Sequence, residues 1–130
     1  MNREIKFRAK RAENGQWVYG DLTHTIRITE NGDVPCIRVA NYNVDETTIG
    51  QYTCVKDKNG VEIYEGDIVQ WSECVADAHF ATYEHEVLLY EGQFYPLSEQ
   101  YCFTNVNEND EMQFICDNVV VIGNIYDKHN

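Results

Sequence analysis

The sequence predicts a mainly β chain with little helix, and three observations carry that expectation. Short β-branched and aromatic runs recur along the chain. Asn-Gly steps punctuate them at Asn14-Gly15, Asn31-Gly32 and Asn59-Gly60. No apolar pattern with a period of about 3.6 residues persists over the length of a helix. Asn and Gly both tolerate the positive φ that primed turns require, so an Asn-Gly step between two β-rich runs reads as a hairpin tip. Apolar residues make up 43% of the 130 positions and aromatics 12%, which is enough for a packed core and excludes a disordered chain.

At the N-terminus, Ile5, Phe7 and Ala9 alternate with Lys6, Arg8 and Lys10, a period-two strand with one basic face. Asn14-Gly15 turns it into Trp17-Val18-Tyr19. Residues 23–29, which include Ile26 and Ile28, form a second hairpin with Ile37-Arg38-Val39 across Asn31-Gly32. Pro35 has no N–H for a ladder and marks an edge or a strand start. Residues 41–48 are polar and read as a connector with one helical turn capped by Asp45. The connector divides the chain into an N-terminal β subdomain, residues 1–48, and a second subdomain, residues 49–130.

The densest stretch is residues 50–71, GQYTCVKDKNGVEIYEGDIVQW. Residues 52–55 and 61–64 are β-rich, with Asn59-Gly60 at the tip between them, so helix is excluded from residues 53–64. Tyr64-Glu65-Gly66-Asp67 then turns into a strand that ends at Trp71. Asp67 follows Gly66 and is expected to accept nearby backbone N–H groups and fix the turn. Trp17 and Trp71 read as core anchors.

Residues 74–83 are open between a short helix, lined by Val75, Ala76, Ala78, Phe80 and Ala81, and a long loop. Residues 86–90 and 93–97 flank Glu91-Gly92 as another hairpin. Residues 105–111 read as a polar loop tip, and residues 114–116 and 119–126 as closing strands. Ile68, Val69, Ile122 and Ile125 lie in the two most apolar strands of the second half and are its expected core.

No run approaches the ~20 apolar residues of a membrane span. The basic N-terminus leads into no apolar stretch, so no signal peptide is expected and the expected location is the cytoplasm. The five cysteines are odd in number with no C-x-x-C pair, and read as free thiols in a reducing compartment. The net charge of −12 is unevenly spread. Residues 1–11 carry a net +4, and residues 61–130 a net −13 with Lys128 their one base. Nucleic acid would be repelled from that half, because its binding rests on neutralising phosphates.

Motifs for chemistry are absent. There is no phosphate-binding glycine loop and no nucleophile elbow. Cys74, His79 and His85 are spaced too widely for a zinc finger. The oxygen-rich residues 105–110 lack the glycine and glutamate of a calcium loop, since Asp110 and Cys116 stand at those positions. The sequence therefore assigns no catalytic, cofactor-binding or metal-ligating residue.

Three stretches carry a family resemblance. Ile49-Gly50-Gln51-Tyr52-Thr53, Lys56-Asp57-Lys58-Asn59-Gly60 and Glu62-Ile63-Tyr64-Glu65-Gly66-Asp67-Ile68-Val69 are similar to the signature of the YopX family. So are Arg3-Glu4-Ile5-Lys6-Phe7-Arg8-Ala9 with Trp17-Val18-Tyr19-Gly20-Asp21-Leu22 at the start, and Val121-Ile122-Gly123-Asn124-Ile125-Tyr126 at the end. Residues 74–83 and 102–114 match nothing in that pattern. The resemblance implies a small phage or prophage protein of unknown function, whose second half is an SH3-like β-barrel and which has no catalytic residues. Gly50, Tyr52, Asn59, Gly60, Tyr64, Gly66, Asp67, Trp71 and Gly123 are its structural signature here.

The resulting expectation is a non-enzymatic accessory protein of a bacterial host's phage or prophage. It binds protein, including further copies of itself, and does not bind nucleic acid or membrane directly. The basic strand, through Lys6, Arg8 and Lys10, is the candidate surface for self-association with the acidic half. The alternative is an acidic decoy whose carboxylates imitate nucleic-acid phosphates and occupy a host DNA-binding protein.

Overall fold

The structure, a computed structural model, describes residues 4–90, 93–97, 103–106, 112–116 and 119–127. It is mainly β, as expected, and the chain divides into two compact units, residues 1–52 and 53–130. The division falls within a strand.

In the first unit, β1 (Phe7–Lys10) pairs antiparallel with β2 (Trp17–Gly20) and with the first residues of β6 (Gly50–Asp57). β3 (Leu22–Thr29), β4 (Gly32–Val39) and β5 (Tyr42–Asn43) form a second, antiparallel sheet. A 3₁₀ turn, Glu46–Thr48, precedes β6. Asp45 caps it as the sequence predicts, accepting the Thr47 N–H at 3.1 Å and the Thr47 hydroxyl at 2.7 Å. Those two hydrogen bonds, the hydroxyl's first, hold the Asp45 carboxyl below its ordinary pKa. The core of this unit is Ala9, Val39 and Val44, with Phe7, Val18, Ala40 and Ile49 packed against it.

In the second unit, the remainder of β6 pairs with β7 (Glu62–Tyr64) and, in parallel, with β13 (Met112–Cys116). β12 (Phe103–Val106) pairs with β13. β8 (Asp67–Ala76) lies between β9 (His79–Glu86) and β14 (Val119–Asn124), and β10 (Leu88–Tyr90) pairs with β11 (Gln93–Tyr95). Ile63, Val69, Val87 and Val119 form the core, with Val55, Trp71, Phe94, Leu97 and Val121 against it. Among the described residues these strands lie in several sheets and do not close into one barrel.

Four local expectations change. First, residues 74–83 are neither helix nor loop. Eight β8–β9 pairs run from Ile68↔Glu86 to Ala76↔His79, and this cross-strand ladder overrides the helix propensity of the alanines. Second, the Asn-Gly steps mark the hairpins but are not primed turns. Gly15, Gly32 and Gly60 have positive φ, while their asparagines do not. The two-residue turns with positive φ at both positions are Ala40-Asn41, between β4 and β5, and Asp77-Ala78, between β8 and β9.

Third, of the expected second-half core only Val69 is fully buried. Ile68 and Ile125 are half-buried, and Ile122 is 45% exposed. Side chains alternate across a strand, so Val119 and Val121 take the inner face of β14 and leave Ile122 outside; a bulge between Val121 and Gly123 then shifts the register. Fourth, Asn105 and Val106 belong to β12, paired with Gln113 and Met112. The rest of that expected loop, residues 107–111, and the hairpin tip Glu91-Gly92 lie outside the described residues.

Candidate functional site: clamped turns, a cation–aromatic face and two bare arms

The signature stretch is organised around two buried carboxylates. Asp57 ends β6 and is fully buried. Its Oδ1 accepts the N–H groups of Asn59 at 2.8 Å and Val61 at 2.9 Å, and its Oδ2 accepts the Val121 N–H at 3.0 Å. Gly60 N–H also reaches the Asp57 carbonyl at 2.9 Å. One side chain thus closes the β6–β7 turn and ties it to β14. Gly60, at φ +83°, supplies the left-handed step that returns the chain. The sequence carried the signal for this role: Asp at the first and Gly at the fourth position of Asp57-Lys58-Asn59-Gly60 is the preference of an ordinary type I turn.

Asp67 plays the part expected of it. It is buried, and its Oδ2 accepts the Tyr64 N–H at 2.8 Å, fixing the turn into β8. Gly66 stands at φ +93°, and a Cβ there would lie 2.9 Å from Tyr126 Cε2. Its N–H donates to the Val87 carbonyl, and its own carbonyl accepts the Ile125 N–H. Tyr64 is buried, with its hydroxyl 3.2 Å from Glu62 Oε1. Trp71 packs on the core and its Nε1–H donates to Glu73 Oε1 at 3.1 Å. Gly50 is buried opposite Arg8, and Gly123 follows the β14 bulge with nothing within 4 Å of a built Cβ. The structure therefore places the signature residues in backbone turns and packing, and gathers none of them into a reactive cluster.

Lys6, just before β1, and Arg8 and Lys10 within it alternate onto one face, but that face is aromatic as well as basic. The Lys6 ammonium is 5.0 Å from the Tyr52 ring centroid, and the Arg8 guanidinium and Lys10 ammonium are 4.6 and 5.4 Å from that of Trp17. Arg11 is 4.3 Å from the Tyr42 ring. Lys6 also pairs with Glu4, and Arg11 with Glu13. The cations are held within their own unit by ring faces. Trp17, expected as a core anchor, is half-buried beneath two of these cations, and the alternation of basic residues on β1 does not reveal which rings cover them.

Two hairpins carry apolar side chains outward. Along β3–β4, the face that buries Val39 at its base continues through half-buried Ile37 to exposed Pro35, Ile26 (62%) and Ile28 (84%). Beyond Trp71, β8–β9 exposes Val75 and Phe80, the latter 69%. Among the described residues no three His, Cys, Asp or Glu side chains are grouped to hold a metal ion, and no helix is long and apolar enough to cross a membrane.

Fold and site together define a small acidic β protein, with structural turn clamps and exposed apolar hairpins. The family model described as YopX protein matches residues 6–130, and the chain belongs to the YopX family. A crystal structure of protein EF1440 from Enterococcus faecalis is 25% identical, over 95% of this chain and 94% of that one, with a TM-score of 0.50. No curated protein matches the chain.

Proposed function

We propose that this YopX-family chain is a non-enzymatic, protein-binding module that also assembles with itself, an accessory protein of a phage or prophage. The observation that carries the reading is the pair of hairpins whose apolar side chains lie bare, Ile26 and Ile28 on one and Val75 and Phe80 on the other. Contiguous exposed apolar surface is characteristic of protein contact. The clamped turns support the reading from the other side, since their buried carboxylates are committed to backbone N–H groups. Lys6, Arg8 and Lys10 contribute less to it than the arms do, because pulling those cations from their rings carries a cost.

Chemical cross-linking in host-cell lysate tests the reading, comparing the native chain with Ile28→Lys and Phe80→Lys. Protein adducts to the native chain that the variants lose are the expected result. Retention of every adduct by both variants, or turnover of a small molecule by the purified chain, overturns it.

A further inference from the structure

The outer edge of β3 is an open hydrogen-bonding edge, and its chemistry points to a particular occupant. Ala40 N–H donates to the Asp21 carbonyl, so the odd-numbered residues of β3 turn their backbone groups toward β4. By alternation, Leu22, His24, Ile26 and Ile28 turn theirs outward. β4 confirms the parity, since Ile37 N–H points away from β3, to Glu46 Oε1 at 3.3 Å.

The two edges of this arm are protected unequally. β4 carries Pro35 at an outward position and is covered at its end by β5. β3 runs eight residues in unbroken register with no proline, no lysine and no bulge, and among the described residues it pairs with β4 alone. Native edges of this length are normally blunted by such devices.

We infer that β3 pairs edge to edge, antiparallel, with β3 of a second copy of this chain, about a two-fold axis at Ile26. The inference rests on the self-assembling part of the reading above and names its surface. An open ladder edge calls for an extended strand, and three features favour this chain's own. The chain carries −12, so copies repel over most of their surface, yet residues 22–29 hold no acid. In the register centred on Ile26, their single full charge, Arg27, lies opposite Thr25 of the second copy and not opposite another arginine. The remaining pairs, Ile26 with Ile26, His24 with Ile28 and Thr23 with Thr29, set apolar or hydrogen-bonding side chains across from one another. The arrangement is isologous and closes as a dimer. The β8–β9 arm lacks this compatibility, because Glu73, Asp77 and Glu84 lie along it.

The test places charge on the axis. Ile26→Lys and Ile26→Glu each set like charges directly opposite in the dimer, while Ile26 is 62% exposed in the single chain. Light scattering of the intact chain is expected to give the dimer mass, and each variant alone the monomer mass. An equimolar mixture of the two variants is expected to return to the dimer mass. Amide hydrogen exchange supplies an independent reading: His24, Ile26 and Ile28 become protected as protein concentration rises, while Thr25 and Arg27 are protected throughout. A native chain that stays monomeric overturns the inference. So does a dimer indifferent to both variants, or a mixture that fails to re-associate; an indifferent dimer leaves the self-assembling reading standing on another surface.

Discussion

The β6–β7 and β3–β4 hairpins begin from the same local signal, an Asn-Gly step between β-rich runs, and end in opposite environments. The first is sealed: Ile63 and Asp57 are fully buried, and three backbone N–H groups converge on the Asp57 carboxylate. The second leaves its core at Val39 and carries Ile26 and Ile28 into solvent. The difference shows that turn chemistry sets the path of a hairpin, while buried partners decide its role. A hairpin with a carboxylate clamp holds the fold, and one whose apolar face runs past the core has surface to give to a partner.

The comparison breaks most visibly at the clamp. Asp57→Ala leaves three N–H groups without their acceptor, each costing about 1–3 kcal/mol if it stays buried. The expected result is a chain mostly unfolded or melting far below the native one, read by circular dichroism. Ile63→Ala, in the core beside that clamp, is expected to cost about 2–5 kcal/mol in urea unfolding, through lost burial and the cavity left behind. Gly66→Ala is expected to cost about 1–3 kcal/mol, because alanine at φ +93° is strained and its Cβ meets Tyr126. A melt unchanged by Gly66→Ala would show that Tyr126 moves away freely. Gly60→Val shares the positive φ but meets nothing within 4 Å, so a smaller loss of about 1 kcal/mol is expected.

Much of this contrast was legible in the residues. The mainly β class, the β6–β7 hairpin, the Asp45 cap and the turn-fixing part of Asp67 all follow from local chemistry that needs no distant partner. What escaped depends on contacts far along the chain. Asp57 reaches Val121 across the unit, and no local pattern announces that bond. The β8–β9 ladder was hidden behind alanines and a turn, Asp77-Ala78, with neither Gly nor Asn to mark it. The apolar neighbours of Ile122 suggest a core position, but alternation with Val121 sets it on the other face. The bare arm was hardest to foresee, because a β-rich run looks the same in sequence whether or not something covers it.

The central claim is that the clamped turns hold the fold and the β3–β4 arm does not. Urea unfolding of a shortened chain tests it most directly, with residues 26–35 replaced by Asn-Gly. Thr25 and Cys36 are register partners, so a two-residue turn can join them as Glu30-Asn31 joins Thr29 and Gly32. Measured at a protein concentration too low for self-association, the shortened chain is expected to unfold cooperatively within about 1 kcal/mol of the native one, since the residues removed are largely exposed surface. A shortened chain that fails to fold, or that loses as much stability as Ile63→Ala, would contradict the account.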